Sequence, residues 1–360
     1  MLMSLQLPSY MGTSGNASSA LAAPMGNYGD IENKGWEISL NTHPLIGAFE
    51  WDSDFQISFN RNKLRALDGT ANAQIVGYGQ WSDVVSVTNV GESLYNFYGY
   101  VCDGVYEDLE DLQTSAKPAK YPADGVFNRT NTVWVGDIKY KDLNGDGVID
   151  ENDRTNIGSP LPKFTFGWTN TFRYKNFDLS LFINGSYGNK VFNYLGMKLT
   201  HMNSPWSNQL NTVLDRAQIV PIDPNKDYSA GVVVNGVTIY NWYDDITNVR
   251  VANAGATIPR ASIQDPNDND RISDRYIEDG SYIRLKNITL GYTFPGKIIK
   301  KWGLDNLRVY ANIQNLLTIT GYSGYDSEIG ASTASANVYG LDNGRYPSPT
   351  VYSFGLNVSF

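Results

Sequence analysis

The chain carries one cysteine, Cys102, among 360 residues, so no internal disulfide can staple it and its redox compartment stays open. It has only two histidines, His43 and His201, and neither has a recognisable partner in the sequence. There is no HExxH, no GxSxG and no glycine loop built to cradle phosphate. Acidic pairs such as Glu110-Asp111 and Asp244-Asp245 read as solvated loop charges rather than a glycosidase dyad. No enzyme is expected. A basic stripe is missing too, and a formal net charge of −9 speaks against a nucleic-acid partner. Finally, no stretch approaches the roughly 18 uncharged apolar residues that a membrane helix needs, and mean hydropathy is −0.34. If the chain crosses a membrane, it must do so as a closed sheet, the other form in which a backbone satisfies itself in lipid.

What the chain does have is alternation. From Phe49 to Asn60 the odd positions are Phe49, Trp51, Ser53, Phe55, Ile57 and Phe59, and every even position is polar. Phe164, Phe166, Trp168, Phe172 and Tyr174 share one parity, broken only by Asn170. After a turn at Lys175-Asn176, Phe177, Leu179, Leu181 and Ile183 share another. Two such strands of about ten residues are the length that crosses a bilayer when tilted. Trp36–Asn41, Ile288–Phe294 and Leu307–Leu317 are further candidates, with a bulge or the start of a loop expected where Lys286-Asn287 shifts the phase. The last strand ends on Phe360, and Tyr352, Phe354, Leu356, Val358 and Phe360 line one face of it, poor chemistry for a frayed soluble terminus but suited to lipid. Aromatics are plentiful (24 Tyr, 14 Phe and 8 Trp), as in the interfacial girdles of barrels or in a sugar-binding surface. Met1–Pro8 has neither a basic n-region nor an adequate apolar h-region and does not read as a signal peptide. Its alternating Met3, Leu5 and Leu7 suggest a strand end in a chain that starts inside a larger structure.

Two long polar stretches, 103–162 and 195–282, separate the strands; barrels tolerate such loops on one side. The first contains Asp142-Leu143-Asn144-Gly145-Asp146-Gly147-Val148-Ile149-Asp150-Glu151-Asn152-Asp153, which follows the calcium-loop pattern. Oxygens fall at Asp142, Asn144, Asp146, Asp150 and Asp153, the carbonyl of Val148 takes position 7, and Gly147 makes the sharp turn. Asp153 stands where the bidentate Glu belongs, which lowers the expected Ca2+ affinity and admits Mg2+ as a competitor. A run of Asx turns needing no ion is the alternative. Asp265–Asp270 lacks the glycine for a second such loop. In the second stretch Trp206, Tyr240, Trp242 and Tyr243 are candidates for contact with substrate or partner, or for packing the loop against itself.

Several blocks together resemble the SusC/RagA-type TonB-dependent outer-membrane transporters: Gly29–Leu40, Gly91–Tyr100 with Asp103-Gly104, Gly136–Gly147 with Ile157-Gly158, Ser273–Tyr292, and Val309–Thr318 with the closing strand. The ending Ser353-x-Gly355-x-x-Val358-x-Phe360 is similar to the signal read by outer-membrane assembly machinery. The resemblance implies an all-β, antiparallel transmembrane β-barrel, of which residues 1–360 are the C-terminal portion, about ten strands of a larger plugged barrel, without plug domain or signal peptide. It further implies import of oligosaccharides or peptides, energised by the TonB complex through the missing plug and assisted by a SusD-like lipoprotein, in the outer membrane of a bacterial cell. Glu50, Asp52, Asp54, Thr169 and Arg173 would then face the lumen. The rival reading is a secreted, calcium-clipped β-sandwich serving as an adhesin or carbohydrate-binding module.

Overall fold

The computed structural model describes residues 2–4, 25–27, 29–67, 73–80, 83–330 and 337–360; the parity expected for Met3, Leu5 and Leu7 lies outside the described side chains. Its centre is one antiparallel sheet of seven strands in simple meander order. They are β1 (Gly29–Leu45), β2 (Phe49–Leu67), β3 (Phe164–Tyr174), β4 (Phe177–Tyr187), β5 (Tyr282–Thr293), β6 (Asn306–Thr320) and β7 (Val351–Ser359). Each pairs only with its sequence neighbours within this sheet, and a strand at Leu2–Ser4 pairs separately with Met25–Asn27. The expected strands are all present; β3 coincides with the apolar window that announced it, while β1, β2, β4 and β6 are longer than theirs. β1, for instance, begins seven residues before Trp36, because the ladder continues through polar residues once the pairing is set.

The register explains why alternation matters. Leu40, Phe55, Trp168, Ile183, Leu285 and Leu317 are successive cross-strand partners and form one transverse row. One residue further along each strand the row turns polar or small; near the opposite end it reads Glu50, Arg173, Asp178, Gly291, Tyr310 and Gly355. With a side-chain period of two, the sheet therefore has one apolar and one polar face. The apolar face is uncovered: Trp36 is 79% exposed, Leu356 68% and Phe354 84%. A sandwich would bury these side chains against a second sheet, and among the described residues no such sheet lies on them. The expected bulge is present, with Phe182 opposite Asn287 and Ile183 opposite Leu285, so Lys286 is the extra residue.

Aromatics gather at both ends of the apolar face. Phe59, Phe164 and Tyr187 pack in sequence at 5.7 and 5.1 Å between ring centres; at the other end Phe177, Tyr292 and Phe294 do so at 4.7 and 5.0 Å. The 11 residues of β3 separate the two bands by roughly 33 Å along the strand, or about 25 Å when tilted near 40°, the height of an outer-membrane hydrocarbon band. The one polar intruder is satisfied. Asn170 is 5% exposed, and the Trp51 indole N–H donates to its Oδ1 at 3.0 Å; likewise the Trp168 indole donates to Ser53 Oγ at 2.9 Å.

Connections divide by length. Residues 46–48, 175–176 and 294–305 join strands at one end, the last including a short helix α1 (Gly296–Ile299). Lys175 takes a positive φ of 54° in the two-residue hairpin. The connections 68–163, 188–281 and 321–350 all lie at the other end.

Two outcomes are expected. Trp51→Phe strands the Asn170 carbonyl in apolar surroundings and costs about 1–3 kcal/mol of stability, most of it recovered in the Trp51→Phe/Asn170→Leu double variant, as read by urea unfolding of the full-length protein in lipid vesicles. In the same assay Ile183→Arg, in mid-row on the apolar face, costs about 2–4 kcal/mol, whereas Ser180→Arg on the polar face costs far less.

Candidate functional site

Long loops keep a shape only if they make their own core, and these do. Val105, Tyr106, Leu112, Trp134, Ile138 and Tyr140 of the first connection pack with Ile246, Val249 and Val251 of the second. A second cluster joins Val85 and Phe97 to Phe192, Tyr194, Met197 and Tyr276, and to Val338 and Leu341 of the third. Ion pairs fasten this assembly: Arg260, 5% exposed, donates from Nε to Asp137 Oδ1 at 2.7 Å. Buried Arg284, on β5, bonds Asp326 and Glu328 of the third connection, and Lys286 also reaches Glu328 at 2.8 Å. The third connection is thereby tied to the polar face of the sheet.

Lower on that face the expected lumen residues come together. Arg173 bridges Asp52 at 2.5 Å and Glu50 at 3.6 Å, and Asp54 lies opposite Thr169. His43 Nδ1 reaches Asp52 Oδ1 at 2.6 Å, so this histidine does have a partner. Arg308 spans to Asp178 across Gly291, where a Cβ would meet both charged groups.

In the carboxylate loop the structure places the six predicted ligand residues on a chain of Asx-type turns. Asp142 accepts from the Gly145 and Gly147 amides at 2.6 and 2.8 Å, Asn144 from Asp146 N at 2.9 Å, and Asp146 from Val148 N at 2.9 Å. Asp150 accepts from Asn152 N at 2.7 Å, and buried Asp153 from Leu143 N and Asp150 N at 2.8 and 2.9 Å. Gly147 has φ 83°, the left-handed turn required at position 6. Backbone amides thus take up the negative charge, and no three of these carboxylates converge closely enough to clasp an ion. No long helix flanks the loop; a single 3-10 turn, Glu151–Asp153, follows it.

A tighter constellation lies elsewhere. Among the described residues the one group of metal-ligating side chains gathered within 4.8 Å is His201, Asp265 and Asp270. His201 ends helix α2 (Tyr194–Thr200); Nε2 lies 3.0 Å from Asp265 and Nδ1 2.9 Å from Asp270. Burial disfavours the charged ring, but the two carboxylates outweigh it and hold His201 up at about 9. Burial would likewise raise Asp270, yet His201 and Lys198 keep it down at about 2. Both ring nitrogens donate, so the group is an imidazolium clamp between α2 and the 265–270 loop. Sequence reasoning missed it because the partners are some sixty residues apart and the Asp265–Asp270 run was set aside for lacking glycine. Asp265 and Asp268 take positive φ (39° and 57°) themselves, which aspartate tolerates better than most residues. Beside the clamp opens a cavity of roughly 590 Å³ lined by Asp150, Glu151, Arg154, Lys198, Asp268, Asp270 and Arg271, of mixed charge and between the two Asp-rich loops.

The four aromatic candidates separate. Trp242 packs against the first loop core. Tyr243 stands edge-on to it at 5.8 Å with the Arg129 guanidinium 5.1 Å from its ring. Trp206 (93% exposed) and Tyr240 (63%) face outward. Of the closing residues, Ser353 and Gly355 sit on the polar face, Gly355 under the Tyr310 ring where a Cβ would collide, while Val358 and Phe360 are exposed on the apolar side.

No protein-family model matches the chain. TonB-dependent receptor P3 of Formosa agariphila is 32% identical over 98% of the chain, and TonB-dependent receptor SusC of Bacteroides thetaiotaomicron 26% identical over all of it. The structure of the RagAB peptide transporter superposes on the whole chain with a TM-score of 0.63 at 17% identity. The chain belongs to the SusC/RagA family of TonB-dependent receptors. It spans about 30% of the length of the curated relatives it matches and 32% of the RagAB transporter chain. These relatives are receptors and transporters by name, not enzymes. The seven-stranded sheet of this SusC/RagA chain is accordingly a portion of an antiparallel barrel, with its uncovered face the one that meets lipid. No described helix is long and apolar enough to span a membrane, which the strands make unnecessary.

The clamp has a signed pH dependence. With His201 raised from 6.5 to about 9, its contribution, at most about 3 kcal/mol, is complete below pH 6.5 and drains as pH rises through 9. Amide protection factors in residues 265–270 should fall between pH 7 and 9.5, and His201→Asn should abolish that dependence while lowering protection at pH 6.5.

Proposed function

We propose that the chain is part of an outer-membrane importer of oligosaccharides or peptides, driven by the TonB complex and assisted by a SusD-like surface lipoprotein. The observation that carries this reading is the two-faced sheet, apolar and uncovered on one side, charged and paired on the other. The charged side, with Glu50, Asp52, Asp54, Thr169 and Arg173, lines the lumen, and the loop assembly on 68–163, 188–281 and 321–350 lies outside the cell. SusC of Bacteroides thetaiotaomicron and the RagAB transporter support nutrient import, and the second is a peptide transporter by name. Ser353, Gly355, Val358 and Phe360 serve barrel assembly. Trp206 and Tyr240, exposed at the loop surface, suit contact with a partner or substrate.

The Asp142–Asp153 loop takes a hard divalent cation, Ca2+ or Mg2+, in this reading. Its all-oxygen donor set and the left-handed Gly147 favour that chemistry, although binding must turn carboxylates away from the amides that now hold them, which lowers affinity. Ca2+ should slow limited proteolysis within 142–153, an effect that Asp142→Ala removes; proteolysis indifferent to millimolar Ca2+ and Mg2+ leaves the loop a set of Asx turns.

Deleting the gene should abolish TonB-dependent growth on one class of oligosaccharide or peptide while the full-length product fractionates with outer membranes. Recovery of the full-length protein in the soluble, detergent-free fraction would refute the importer reading.

A further inference from the structure

A cleft of roughly 400 Å³ in the loop assembly is lined by Arg129, Trp134, Arg216, Gln218, Tyr243 and Arg260 together with apolar residues, and among the described residues no carboxylate lines it. That is unexpected in a chain with a net charge of −9. Two of its guanidinium groups are already matched. Arg260 is held by Asp137 in the buried pair described above. Arg129 spends Nε on Asp244 at 3.1 Å, leaving its terminal N–H groups without a hydrogen-bond partner among the described residues while its guanidinium lies 5.1 Å from the Tyr243 ring. Arg216 is different: half-buried at the end of the Asn211–Asp215 turn, its side chain makes no hydrogen bond or ion pair among the described residues. Its sequence neighbour Asp215 does not line the cleft. Three positive charges thus meet two negative ones. A partly desolvated guanidinium with no partner is a cost that folding does not recover, and its planar fork matches a carboxylate or sulfate group in two parallel hydrogen bonds. The volume falls in the range of small-molecule sites.

We propose that this cleft binds an oxyanion, a carboxylate or sulfate group carried by a ligand, with Arg216 and the free N–H groups of Arg129 as its donors and Arg260 as a fixed positive wall. The same chemistry can come from an acidic saccharide or from a peptide, and the test separates these. It goes beyond the import reading and needs no transport to be measured.

The full-length receptor in detergent is titrated calorimetrically with glucuronate, glucose 6-sulfate, N-acetylglycine and, as the neutral control, glucose. Binding of at least one anion, at least tenfold tighter than glucose and weakened by added NaCl, is the expected result; preference for the two sugar anions assigns an acidic saccharide, preference for N-acetylglycine a peptide carboxylate. Arg216→Ala should weaken that binding at least tenfold and Arg216→Lys less, with the unfolding midpoint of Arg216→Ala unchanged or raised, because the side chain bonds nothing in the fold and its desolvation is relieved; Arg129→Gln gives a second, independent loss. Absence of binding by all three anions, equal binding of glucose, or full binding by both Arg216→Ala and Arg129→Gln overturns the proposal. None of those outcomes touches membrane fractionation or growth, so the importer reading stands or falls separately.

Discussion

Backbone amides have no water to bond with in hydrocarbon, and that single constraint governs the sheet. A strand there must pair along its whole length, and the ladders of β1, β2, β4 and β6 run on past the apolar windows. Once strands pair continuously, the side-chain period of two does the sorting: a slip of one residue would exchange the Leu40–Leu317 row for the charged row and set Arg173 and Asp178 into lipid. Register is therefore pinned from both faces. Stacked rings fix it on one side, and Arg173 with Asp52 and Arg308 with Asp178 fix it on the other.

The same rule accounts for the exceptions. Asn170 survives on the apolar face because an indole N–H two strand positions from it on the neighbouring strand supplies what lipid cannot. Lys286 is bulged out of register, and its side chain goes to Glu328 rather than to the membrane. Outside the sheet the constraint relaxes, and the loops are instead governed by ordinary burial. They cohere because aromatic and branched residues from two or three connections meet in shared clusters, with the buried pairs Arg260–Asp137 and Arg284–Asp326 at the joints.

This division is also the division between what the sequence made legible and what it did not. Alternation is a local signal, so the strands, the Lys175-Asn176 turn, the Lys286 bulge and the polar set from Glu50 to Arg173 could be read directly. Strand ends could not, since a ladder extends by pairing rather than by hydrophobicity. The loops carry almost no periodic signal, and their contacts span long separations: His201 meets Asp265 and Asp270, and Arg284 meets Asp326, only after folding. The calcium-like pattern was legible as a list of oxygens, but whether those oxygens point at an ion or at backbone amides is a matter of geometry, and here the amides hold them.

Charge placement then separates architecture from function. In the interior of the loops several buried charges are answered by a specific opposite group, Arg260 by Asp137, His201 by two aspartates and Asp245 by Lys226 at 2.7 Å, and buried Asp153 by backbone amides. Such closed pairs stabilise the assembly but have nothing left to offer a ligand. A charge that folding leaves unanswered within a concave surface is the opposite case, because the desolvation has been incurred and the compensating bond has not been made. Arg216 is such a charge, and the cleft around it owes its sign to that one unmatched guanidinium.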